Sequence, residues 1–89
     1  MNAQERLDDV LNNVTKPAQE TLDAILAHVA KGGTVAISNH LRCVHVRQKD
    51  INKFRKVGLE LLVVRGDSLC IRQGKRLDSI KYCRITFFD

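Results

Sequence analysis

Thr34-Val35-Ala36-Ile37-Ser38-Asn39-His40-Leu41-Arg42-Cys43-Val44-His45-Val46-Arg47 is the stretch on which the fold turns. Thr34 to Ile37 has the composition of a short strand, and Arg42 to Arg47 places valines at alternate positions. Between them, Ser38 to Arg42 suits either a turn or one helical turn. A turn makes 34–47 a hairpin and the chain an α+β sheet protein. A helical turn makes it a link between two longer helices. The flanking residues are clearer than this centre.

Upstream, Leu22, Ile25, Leu26 and Val29 recur at i, i+3, i+4 and i+7, the spacing of one helix face. Pro17 suits the entry of this helix and Gly32-Gly33 its exit, which predicts a helix over 18–31. Leu7, Val10, Leu11 and Val14 repeat the spacing and predict another over 4–14. Downstream, residues 48–57 read as a helix with Ile51 and Phe54 inward and Gly58 as its stop. Glu60 to Arg65 and Leu69 to Gln73 read as strands joined at Gly66-Asp67-Ser68. Gly74-Lys75-Arg76 follows as a basic turn. Ile80 to Phe88 reads as a last strand, with Cys83, Ile85 and Phe87 on one face and Ile80, Tyr82, Thr86 and Phe88 on the other.

Eighty-nine residues are enough for one domain only. Residues 1–30 hold two basic and five acidic side chains, a balance of −3, whereas residues 31–89 hold thirteen basic and five acidic ones, a balance of +8. The expected organisation is an acidic helical part (1–31) and a basic α/β part (32–89) of a single domain. A field of that sign attracts polyanions. Three cysteines, an odd number, do not make a disulfide framework, and the longest apolar run, Leu61 to Val64, cannot span a bilayer. A polar, acidic start after Met1 is not a signal peptide. A cytoplasmic protein without membrane contact is therefore expected.

Gly66-Asp67-Ser68-Leu69 spells the tetrapeptide of a hydrolase family. A serine nucleophile there would need a base downstream, but His28, His40 and His45 all precede Ser68. The tetrapeptide reads as a hairpin turn. His40, Cys43 and His45, with Cys70 and Cys83, form only half of a zinc pattern, and the last two lie in apolar strand patterns. Cys43 and His45 would share a strand face, yet no third group orients them. No catalytic set, metal site or cofactor is expected.

The strongest functional signal is the helix after Arg47. Lys49, Asn52, Lys53 and Lys56 fall on one face, with Arg47 and Arg55 at its margins. Lysine and arginine contact phosphates or guanine, and asparagine pairs with adenine. Arg65, Arg72, Lys75 and Arg76 form a second basic group on and after the hairpin. Few aromatic residues are available for stacking single-stranded bases.

Residues 22–73 resemble a winged helix-turn-helix domain of the kind found at the C-terminus of bacterial response regulators. Leu22 to Ala30 leads into Gly32-Gly33-Thr34-Val35, and Ser38 to Arg42 would be the first helix of the motif. Ile51-Asn52-Lys53-Phe54-Arg55-Lys56 resembles the recognition helix, and Leu59 to Arg72 the wing. The resemblance implies that Arg47, Lys49, Asn52, Lys53 and Lys56 face the groove, with Arg65 and Arg72 on the wing. The expected fold is thus α+β and winged-helix-like. It has two N-terminal helices, a basic third helix and a C-terminal antiparallel hairpin or three-stranded sheet.

The expected function is a small DNA-binding regulator contacting duplex DNA through Arg47, Lys49, Asn52, Lys53, Arg55, Lys56, Arg65, Arg72, Lys75 and Arg76. Its N-terminal helices would face away from DNA and pair in a homodimer. The alternative is a non-catalytic inhibitor or adaptor, of the kind phages and mobile elements carry, that binds a protein target in a nucleic-acid-handling host machine. A small RNA-acting toxin is a third class, disfavoured by the lack of histidine after residue 45.

Overall fold

The computed structural model describes residues 18–81 and 83–89. Within these, two helices and six strands follow one another as α1 (Ala18–Ala30), β1 (Thr34–Ser38), β2 (Cys43–Val46), α2 (Gln48–Lys56), β3 (Leu62–Arg65), β4 (Ser68–Gln73), β5 (Arg76–Ser79) and β6 (Arg84–Phe88). The strands make two three-stranded antiparallel sheets, ordered β2-β1-β6 and β3-β4-β5. This overturns the expected architecture of three helices and one C-terminal sheet. The helix expected over 4–14 lies outside the described residues.

The reversal comes from residues 34–47, which form a hairpin. Val35 and Ile37 pair with Val46 and Val44 on one side and with Phe87 and Ile85 on the other. Side chains alternate across a strand, so these six share the inner face. Asn39 makes the turn. Its Oδ1 accepts from the backbone N–H of Leu41 (2.8 Å) and of Arg42 (3.0 Å), and its own N–H donates to the Arg42 carbonyl at 2.9 Å. An asparagine bonding the backbone two and three residues on is a turn-former, and it outcompetes the helical turn at 38–42. The first helix of the expected motif is therefore a turn, and the placing of α2 as a groove reader behind it has no structural basis.

α1 spans both sheets, packing on β1, β3 and β4. Ile25 and Val29 are fully buried there, so the apolar stripe of α1 packs on its own chain's sheets. The core joins these to Val35, Ile37, Val46, Ile51, Leu62, Leu69, Ile71, Ile85 and Phe87. Each large aliphatic side chain buried this way stabilises the fold by about 1.5–3 kcal/mol.

Gly33 follows α1 where the His28 ring crosses the chain, and a Cβ at Gly33 would overlap that ring. The close approach explains the second glycine of Gly32-Gly33.

The second sheet is a meander. Gly66-Asp67 and Gly74-Lys75 are two-residue loops, each opening with a glycine at positive φ (58° and 63°). Arg76 is thus the first residue of an unexpected strand, β5. The last strand begins at Arg84, because Cys83 N–H bonds the Ile80 carbonyl (3.0 Å) and turns the chain. Ile80 is therefore buried, and does not share the outer face with Thr86 and Phe88.

Candidate nucleic-acid interface

α2 starts at Arg47, whose extended backbone (φ −129°, ψ 165°) caps the helix. Asp50 sits three residues on. Its Oδ2 accepts from the Arg47 backbone N–H (3.0 Å) and from Arg47 Nε (3.1 Å). A carboxylate in the first turn also faces the positive end of the helix dipole. Asp50 is thus the residue that fixes the helix start. At the other end, the Gly58 and Leu59 N–H groups bond the carbonyls of Arg55 (3.1 Å) and Phe54 (2.7 Å), with Gly58 at φ 77°.

One side of α2 is anchored by buried Ile51 and half-buried Phe54. Lys49, Asn52, Lys53, Arg55 and Lys56 are all exposed. Lys49, Lys53 and Lys56 make one stripe, and no carboxylate lies within ion-pair distance of them among the described residues. Asn52 differs from expectation, because its Oδ1 accepts from Gln48 Nε2 at 2.9 Å. Paired recognition of adenine needs both ends of the amide, and here the oxygen is already engaged.

The hairpin group does not assemble into one surface. Arg65 stands at the β3–β4 turn and Lys75 and Arg76 at the β4–β5 turn. Six-residue β4 separates the two ends, roughly 16 Å at strand rise. Arg72, between them on β4, is half-buried, with Nε out of water and unpaired. Arg76 Nε is bonded to Asp78 at 2.8 Å.

Two groupings that join separate segments escaped the sequence reading, which gave only Cys43 with His45, and Thr86 with Phe88, as sharing a face. Arg42 donates to Gln73 Oε1 (2.7 Å) and lies 3.6 Å from Asp78, tying the β1–β2 turn to the second sheet. The outer face of the first sheet carries Cys43 and His45 on β2, and Arg84, Thr86 and Phe88 on β6. Cys43, His45, Arg84 and Phe88 are exposed there, around small Ala36 and Ser38. Cys70 is buried in the other sheet, and Cys83 lies near Asn39, so the cysteines and histidines do not converge.

Against known proteins, the chain matches no family model, no curated sequence and no solved structure. Among the described residues, no helix is long and apolar enough to cross a membrane.

Proposed function

We propose that the protein is a small DNA-binding regulatory protein that grips duplex DNA through Arg47, Lys49, Lys53 and Lys56. The observation that carries this reading is the unpaired lysine stripe of α2. Like charges three and four residues apart cost a helix about 0.2–0.5 kcal/mol per pair. The helix dipole offsets this for Lys53 and Lys56 in the last turn, but Lys49 stands at the wrong end for it. A row of phosphates turns the repulsion into binding energy. Nine residues make the helix about 13 Å long, enough to follow one stretch of backbone.

With Asn52 engaged by Gln48 and no helix preceding α2 in a motif, the contacts are to phosphates rather than base edges. Phosphate contacts give affinity and position without sequence reading. The three cysteines are free thiols, which suits a reducing, cytoplasmic setting.

Fluorescence anisotropy with a labelled random duplex tests the proposal. Four phosphate contacts predict a slope of log K against log salt of about −3 to −4. Absence of binding at low salt removes the reading.

A further inference from the structure

At the seam between the sheets, a cleft of about 170 Å³ opens between the β1–β2 turn and the β4–β5 hairpin. Its floor is aliphatic: Ile37, Val44 and Ile71. Its rim is charged. Arg42 and Arg76 both address Asp78. Two cations against one carboxylate leave the rim at +1. Each guanidinium has five N–H donors. Arg42 reaches Gln73 and Asp78, and Arg76 reaches Asp78, so donors on both remain for another anion.

Leu41 stands at the mouth of the cleft and is 77% exposed. Asn39 holds the turn at two backbone N–H groups, so Leu41 is displayed on a fixed support. A rigidly presented, solvent-facing leucine beside an apolar hollow is the makings of a protein contact, since little ordering remains to be done on binding.

Size and charge narrow the occupant. Pockets for drug-sized ligands run to about 300–1,000 Å³, well above this one. A cavity of about 150 Å³ holds one benzene-sized group. Among the described residues, those that line the cleft are not aromatic, and its aliphatic floor suits an apolar side chain. We infer that this cleft receives one aromatic or branched aliphatic side chain from an acidic segment of a partner protein. The carboxylates flanking that side chain would meet Arg42 and Arg76, and Leu41 would pack against the anchor at the mouth of the cleft.

This surface is separate from the α2 stripe. Arg42 precedes β2 and Arg47 follows it, so roughly 16 Å of extended strand lies between them. The inference goes beyond the nucleic-acid reading and does not depend on it.

A randomised heptapeptide display library, panned on the full chain and counter-selected on Leu41→Ala, tests it. The expected enriched peptides carry one large apolar residue flanked by Asp or Glu. As labelled synthetic peptides they should bind at least tenfold more weakly to Leu41→Ala and to Arg76→Gln. Arg84→Gln removes the same charge from the outer face of the first sheet and should stay within twofold of wild type. Matching circular dichroism spectra exclude unfolding as the cause. Enrichment of peptides without acidic residues, equal loss in Arg84→Gln, or no enrichment over the Leu41→Ala surface overturns the inference. So does competition by an oligonucleotide that is lost in Leu41→Ala, which would make the cleft a nucleic-acid site.

Discussion

His28 Nε2 lies 2.6 Å from the backbone carbonyl oxygen of Phe88, sixty residues further along the chain. The same ring stacks on Phe87, with centroids 4.9 Å apart and planes 17° from parallel. One buried side chain thus fastens the end of α1 to the end of the last strand. The geometry makes Nε2 the donor, since a carbonyl can only accept.

His28→Ala should therefore destabilise the fold by about 2–3 kcal/mol, from the lost stack and an unpaired carbonyl. Gly33→Ala should cost about 1–3 kcal/mol by overpacking against the ring. The two should not add, because removing the ring makes room for the new methyl. Urea unfolding of the two single variants and the double variant checks this. Strict additivity would contradict the close approach.

Asp50 separates stability from binding. Asp50→Ala removes the acceptor that caps α2 and should cost about 1 kcal/mol. It also removes the negative charge beside Lys49 and Lys53, so duplex affinity at low salt should rise, not fall. Thermal melts and duplex titrations on the same samples measure the two effects. Weaker binding by the folded variant would mean that the helix charge is not what grips DNA.

Thiol reactivity reports the strand faces. Cys43 is exposed on the outer face of the first sheet, while Cys70 is buried in the centre of the second. A thiol reagent such as dithionitrobenzoate should modify Cys43 rapidly in the native protein, and Cys70 only as the fold opens. Rapid labelling of Cys70 would contradict the packing of the second sheet.

The same hairpin shows what the sequence reveals. Val35, Ile37, Val44 and Val46 carry the alternation of two half-buried strands. Their connection has no glycine, and only the Asn39 side-chain bonds decide turn over helix. β5 was illegible because Arg76-Leu77-Asp78-Ser79 offers a single apolar residue, as an edge strand can. The pairing of β1 with β6 joins segments about fifty residues apart and has no local signature. α1 and α2 were legible because each writes its own face in a 3.6-residue period.

The lysine stripe was readable for that same reason. The cleft was not, since Arg42, Gln73, Asp78 and Leu41 come from separate segments. Grouping Arg65 with Lys75 and Arg76 followed their closeness in sequence, whereas β4 sets them at opposite ends of a sheet.

Lys53→Glu should preserve the helix, as both residues are good helix formers. It should weaken duplex binding more than tenfold at low salt and lower the salt slope by at least about 1. An unchanged slope would remove Lys53 from the contact.

The most direct test of the central claim is an amide chemical-shift map, recorded while a random duplex is titrated into the isotopically labelled protein. The α2 interface predicts that the largest changes fall on Arg47, Lys49, Lys53 and Lys56, and fade as salt is raised. Changes centred on Leu41, Arg42, Gln73 and Asp78, or none at low salt, would contradict it.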